Sequence, residues 1–147
     1  MAEEDVERQI ETAFADTPSP GTAFEDISAS MDDEGIVDYF RGRTWRGHRV
    51  TDLRYHDVAL SLFTDKAFRY WLPAFMLAEL DSPVEADVIA DSIAFHLTDA
   101  RFAARLQQFT LGELAAIAAF LKECAQRYDD DAFRAAERAV RARLQKA

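Results

Sequence analysis

Pro73 sits in the middle of Thr64-Asp-Lys-Ala-Phe-Arg-Tyr-Trp-Leu-Pro-Ala-Phe-Met-Leu-Ala-Glu-Leu80, an otherwise strong amphipathic helix. No other stretch narrows the possible folds as much. At about 100° per residue, Phe68, Trp71, Phe75, Ala78, Ala67, Ala74, Tyr70 and Leu77 fill half of the helical wheel. Asp65, Lys66, Arg69, Pro73 and Glu79 fall opposite. So wide an apolar arc has to be packed deeply, which makes this helix the expected centre of its domain. Thr64 is placed to cap its first turn through the hydroxyl. Pro73 has no N–H to offer the Arg69 carbonyl and disfavours helical geometry at Leu72, so the pattern predicts a kink. The wheel puts that kink on the polar side, where water can satisfy the freed carbonyl.

The remaining segments also read as helices. Val6, Ile10 and Phe14 form the buried stripe of a helix over 3–15, and Thr17-Pro-Ser-Pro-Gly21 stops it. Phe24 and Ile27 are expected to pack the connection that runs to about Met31, and Asp32 to cap a short helix ending near Arg41. The stretch from Arg41 to His56 shows no period and reads as an irregular crossing anchored by Trp45 and Leu53, with a short helix over 54–62. Ser82-Pro83 with Glu85 predicts a capped helix to about Leu97. Val84, Val88 and Phe95 lie on one side of it and Ile89, Ile93 and Leu97 on another, which would place it centrally. A turn or two over 99–106 carries Phe102 and Leu106. Thr110-Leu-Gly-Glu113 is a second capping box, opening a helix to about Tyr128. Asp129-Asp-Asp131 breaks the chain, and Phe133, Ala136, Val140 and Leu144 trace a last narrow stripe, able to dock internally or between subunits.

These segments sum to an all-α fold, an irregular bundle of roughly six to eight helices with one proline-kinked central helix. The chain has 147 residues, 49% of them apolar, with five glycines and four prolines, which suits one helical domain over 1–147. A single cysteine, Cys124, excludes an internal disulfide and a Cys-based zinc site, and fits a reducing cytoplasm. The N-terminus is acidic, unlike a secretory signal, and no apolar run approaches the ~20 residues that span a bilayer, so no membrane is expected.

No pattern carries recognisable catalysis. His48 and His56 flank Asp52, with Asp57 adjacent, but the irregular spacing matches no metal site, so surface histidines are the simpler reading. His96 lies among apolar residues and suits a local carbonyl better than base chemistry. Asp87 and Asp91 stand one turn apart on a wet face, where a carboxylate gains no useful pKa shift. Cys124 reads as a small core hydrophobe. Glycine-rich phosphate loops and nucleophile elbows are missing, and neither metal nor cofactor is implied.

Charge is the other informative property. The net charge of −10 disfavours nucleic acid and anionic membranes. Residues 1–40 hold twelve acids against one base, whereas 41–57 hold five arginines against two acids. Arg41, Arg43, Arg46 and Arg49, with Trp45, His48 and Tyr70, form the candidate binding surface. The alternative is that Trp45 anchors the core and the arginines pair with the acidic N-terminal part. Phe68, Trp71, Pro73 and Phe75 are expected to be structural.

Three segments carry a family resemblance: Phe14-Ala-Asp-Thr-Pro18, the Arg41-Gly-Arg-Thr-Trp45 turn, and Leu62 to Phe75, where Phe68, Tyr70, Leu72, Pro73 and Ala74 make a Phe-x-Tyr-x-Leu-Pro-Ala pattern. In these the chain resembles an uncharacterised family of small bacterial proteins with a domain of unknown function, over about the first 80 residues. The resemblance implies a bacterial cytoplasmic origin and no activity. Two readings of function follow. One is a non-enzymatic interaction module with an acidic surface, of inhibitor or toxin-neutralising type, taking a basic protein partner. The other is a small-molecule-binding or hydrolytic domain whose cleft near Trp45, Tyr70 and Trp71 grips an anionic ligand through the arginines. Oligomeric state is open.

Overall fold

The computed structural model describes residues 2–20 and 35–146, with side chains for all of these except 2, 3 and 101–103. Helices α1 (Ala2–Phe14), α2 (Ile36–Phe40), α3 (Val50–Tyr55), α4 (Ala59–Leu62), α5 (Asp65–Asp81), α6 (Pro83–Ala86) and α7 (Ile89–Thr98) lead to a 3₁₀ helix (Ala100–Gln108), then to α8 (Leu111–Tyr128) and α9 (Asp131–Lys146). No strand forms among the described residues, so the fold is all-α as expected. Two stretches that read as single helices are each two: 54–62 spans the end of α3 and all of α4, and 82–97 is divided between α6 and α7. Phe24, Ile27, Met31, Asp32 and the side chain of Phe102 lie outside the described residues.

The five long helices close a ring. α1 packs on α5 and α8, α8 on α9, α9 on α7, and α7 back on α5. Phe14, Phe68, Phe75, Phe120 and Phe133 are among the largest fully buried side chains, and Phe109 joins Phe14 to Phe68 through two edge-on contacts at 6.4 Å. The predicted α1 stripe of Val6, Ile10 and Phe14 is buried, and the stripe of α9 is spent within the chain, on α8 and α7.

α5 is the best covered element. Thr64 caps it, its hydroxyl accepting from the Ala67 N–H at 3.2 Å, and the helix runs unbroken through Pro73. Pro73 and Glu79, expected on a wet side, are both buried. The reason is enclosure: α1, α3, α6, α7 and the 3₁₀ helix all pack on α5, leaving no continuous polar face. Proline is itself apolar and loses nothing by burial of its ring, whereas a buried carboxylate needs partners. Glu79 finds them in Arg127 Nη1 at 3.1 Å and the Tyr128 hydroxyl at 2.5 Å.

Two further ion pairs fix the other end of α5. The Glu113 carboxylate, 1% exposed, accepts from Arg69 Nε at 2.9 Å and Nη2 at 3.1 Å, from the Thr17 hydroxyl at 2.5 Å, and from the Thr110 N–H at 2.8 Å. The last contact is half of the predicted capping box, which is complete at α8. Arg105 of the 3₁₀ helix is buried, donating to Asp65 at 2.9 Å and to the carbonyls of Phe63 and Leu60 at 2.9 and 3.3 Å, with its guanidinium over the Phe68 ring. Arg69 precedes Glu79 on α5 as Glu113 precedes Arg127 on α8, so the two helices run in the same sense and are clasped near both ends.

The predicted capping box at Ser82 does not form. The Ser82 hydroxyl donates to Asp81 instead, and α6 ends after one turn because Asp87 takes φ 55° and ψ −106°. That break rotates Val84, Val88 and Phe95 away from the core, leaving them 90%, 37% and 50% exposed instead of buried.

Glu113→Gln should lower the unfolding free energy by about 3 kcal/mol, since an amide nitrogen would face one of four donors in a buried site. A urea titration measures this, and a loss below about 1 kcal/mol would show that the clasp is dispensable. Glu79 gives a signed pH effect. Burial pushes its carboxyl above the ordinary 4.5, against the opposing pull of Tyr128 and Arg127. The folded state therefore holds this proton to higher pH than the unfolded chain, and the associated stability is complete below 4.5 and declines as pH rises through the folded value. The stability of Glu79→Gln relative to wild type should accordingly improve as pH rises from 4.5. A pH series of unfolding midpoints showing a constant or shrinking difference contradicts that assignment.

Candidate functional site

The turn from Arg41 to Arg49 is built by two left-handed glycines, Gly42 at φ 68° and Gly47 at φ 79°, where a side chain would be strained. Between them the chain reverses, and Trp45 is buried to 3% exposure while Arg43 and Arg46 stay at the surface. Trp45 and Leu53 are thus the anchors that their isolation in a polar stretch suggested. Val50–Tyr55, read as part of an irregular crossing, is helix α3, held on α5 and α6 by tertiary packing that local periodicity does not report.

His48 is fixed from two sides. Its Nε2–H donates to the Thr44 carbonyl at 2.6 Å, and its Nδ1 lies in hydrogen-bond contact with the Tyr39 hydroxyl at 2.7 Å. Its ring stands edge-on to Trp71 at 5.2 Å, and Trp71 meets Phe40 at 4.8 Å and Tyr70 at 5.4 Å in the same manner. His56 packs against Tyr39 at 4.8 Å and is buried, contrary to the expectation of a surface histidine. The rings of Phe40 and Tyr39 supply the apolar surroundings that cover it. His96 is also buried, with Nε2 3.2 Å from the Ser61 hydroxyl. No group of three or more metal-ligating side chains is assembled among the described residues.

Each arginine of the candidate surface has a local partner. Arg41 pairs with Asp38 at 2.9 Å and Arg49 with Asp52 at 3.2 Å, while the guanidinium of Arg43 lies over Tyr39 at 4.6 Å and that of Arg46 over Trp45 at 4.1 Å. Arg54 reaches Asp57 and Asp87. Of the acids paired with these arginines, Asp38 comes from the first forty residues and Asp52, Asp57 and Asp87 from further along, and most of the pairing is with neighbours in sequence. Phe68, Trp71, Pro73 and Phe75 are all buried, and Tyr70 is 7% exposed. Cys124 is wholly buried, which pushes its thiol far up and makes it inert as a nucleophile.

Beside the turn lies a groove of about 320 Å³ between α1, α3 and the second half of α5. Trp45, His48 and Val50 line one side, Ala74, Leu77 and Ala78 the floor, and Glu7, Glu11 and Asp81 supply its charge. None of the five arginines lines it. The acids of α1 are the functional candidates that sequence reasoning passed over. Glu7 and Glu11 are spaced four apart on α1, away from Val6, Ile10 and Phe14, a pattern ordinarily read as a solvated face.

Fold and site together define an all-α protein whose helix ring carries an aromatic-backed acidic groove. The chain belongs to the family described as "Family of unknown function (DUF6714)", which matches residues 2–143 and so extends well beyond the segments that carried the resemblance. No curated protein and no solved structure matches it.

Trp71 supports both groove and core, so Trp71→Ala should cost about 3–5 kcal/mol in a denaturant titration. Near-native stability of that variant would show that the aromatic cluster does not hold the turn in place.

Proposed function

We propose that this protein is a non-enzymatic interaction module for a basic partner, and that the groove beside Trp45 receives a lysine or arginine side chain of that partner. The observation that carries this reading is the pairing of three carboxylates, Glu7, Glu11 and Asp81, with an apolar floor of Ala74, Leu77 and Ala78 in one groove. A long cationic side chain has the same two-part character, a hydrocarbon stem and a charged head. The volume lies within the range of side-chain and small-ligand sites. Arg46 already covers Trp45, so the incoming cation is recognised by the carboxylates and not by that ring. The net charge of −10 adds long-range steering of a basic partner, which raises the association rate at low salt. An anionic ligand at Arg41, Arg43, Arg46 and Arg49 has less support, because each of these arginines already has an intramolecular partner.

The test is calorimetric titration with an unstructured lysine- and arginine-rich peptide at low and at raised salt. Binding should weaken with salt and fall about tenfold or more in Glu7→Gln/Glu11→Gln/Asp81→Asn. Unchanged affinity in that triple variant rejects the groove. Absence of peptide binding, with thermal stabilisation by phosphate-bearing small molecules instead, transfers the function to the arginines.

A further inference from the structure

The large apolar side chains that are exposed among the described residues are Tyr55, Val58, Val84, Val88, Phe95, Leu111 and Tyr128, and the first five belong to neighbouring elements. α3 packs on α6 and α4 on α7, while Arg54 bonds Asp87 at 3.2 Å and Ser61 meets His96 at 3.2 Å, so the end of α3 and the start of α4 lie against α6 and α7. Val88 and Phe95, seven residues apart, share one face at the outside of α7. An apolar cluster of this kind on a soluble surface marks a contact site more often than chance scatter does.

Charge says what covers it. Asp87, Asp91 and Asp130 come together with Tyr128 and Phe133 around a depression of about 270 Å³ at the edge of the same α7 face. Burial raises the Asp91 carboxyl, and the nearby charges of Asp130 and Asp87 raise it further, although Arg54 already bonds Asp87 at 3.2 Å. A cationic side chain set among these carboxylates relieves their repulsion. A second copy of the chain does the opposite, bringing another −10 and the same aspartates to the contact.

We propose that the outer face of α6 and α7 docks a basic amphipathic helix, whose apolar stripe covers Val84, Val88 and Phe95 and whose lysines or arginines reach Asp91 and Asp130. This rests on the reading of the protein as a module for a basic partner and names the form that partner takes. The groove at Trp45 is close by, since Asp81 lines it and Val84 follows three residues later, within about 11 Å along the chain. One helical segment can therefore occupy the α6–α7 face while a flanking basic residue enters the groove. The recognition mode is helix on an apolar face, with anchors at i, i+3 or i+4, and i+7.

Two synthetic peptides of about 18 residues and identical leucine and lysine content decide the matter, one with a helical apolar period and one scrambled to destroy it. Fluorescence anisotropy should show the periodic peptide binding about tenfold tighter than the scrambled one. Val84→Asp/Phe95→Asp should abolish the difference while the scrambled peptide still binds, whereas neutralising Glu7, Glu11 and Asp81 should weaken both peptides. Val84→Asp alone alters a residue that is 90% exposed and keeps the test valid if the double variant is unstable. Equal binding of the two peptides, or a preference untouched by either variant, overturns the docking face and leaves the groove reading standing. Failure of both peptides to bind overturns the two together. Light scattering that shows a dimer dissociated by Phe95→Asp assigns the face to a second copy and also rejects the proposal.

Discussion

The carboxylate of Glu113 holds three distant stretches of chain in one place. It closes the cap of α8, grips Arg69 of α5 with two hydrogen bonds, and accepts from Thr17 just beyond α1. A buried charge is tolerated only where its lone pairs are filled, and here four donors fill them. It also stands in the first turn of an eighteen-residue helix. Losing any one donor leaves the others around a charge that water cannot reach, so α1, α5 and α8 have to arrive in register together. The packing of α1 on both α5 and α8 follows from the same point.

The clasp at the opposite end of α5 is built differently. Glu79 has no exposed surface, and burial raises its carboxyl against the pull of Tyr128 and Arg127, with the charge of Asp91 raising it further. The Glu113 end is saturated with donors, and the Glu79 end is a compromise. Arg105 completes the set by converting the buried carbonyls of Leu60 and Phe63 into acceptors of a guanidinium, which ties the short α4 and the start of α5 to the 3₁₀ helix. With both ends of α5 secured by charge, its middle can be wholly apolar, and Pro73 is accommodated there without a break in the helix.

Much of this was legible in the chain. The stripe of Val6, Ile10 and Phe14, the Thr64 cap, the Thr110–Glu113 box and the burial of Phe68, Trp71 and Phe75 all follow from helical period and capping chemistry, which are local. What escaped was non-local. A wheel assigns Arg69, Pro73 and Glu79 to a polar side because it cannot see that several elements enclose α5. Likewise Ser82-Pro83-Val84-Glu85 has every local sign of a capped helix, but the left-handed Asp87 ends it after one turn, with Arg54 of α3 bonded to the Asp87 side chain. At the site, Trp45 was readable as an anchor, whereas the groove was not. Its acids come from α1 and the end of α5, and only the tertiary fold brings them beside the turn.

The division of carboxylates between interior and surface bears on what the molecule does. Inside, Glu79 and Glu113 each have an arginine, which saturates Glu113 and leaves Oε1 of Glu79 without a donor. Outside, acids gather in two depressions, around Trp45 with Glu7, Glu11 and Asp81, and beside α7, where Asp91 and Asp130 join an Asp87 already bonded to Arg54. Stability alone would favour mixing the surface signs, since like charges in proximity raise the free energy of the folded state. The arginines of residues 41–57 are engaged in four cases with Asp38, Tyr39, Trp45 and Asp52, and Arg54 alone reaches one of these acids, Asp87. The left-handed turn at Asp87 compounds the arrangement by exposing Val84 next to these acids. Acidic depressions beside uncovered apolar side chains make a surface whose repulsion and exposed hydrocarbon are relieved by one and the same kind of contact, a cationic chain with an apolar face.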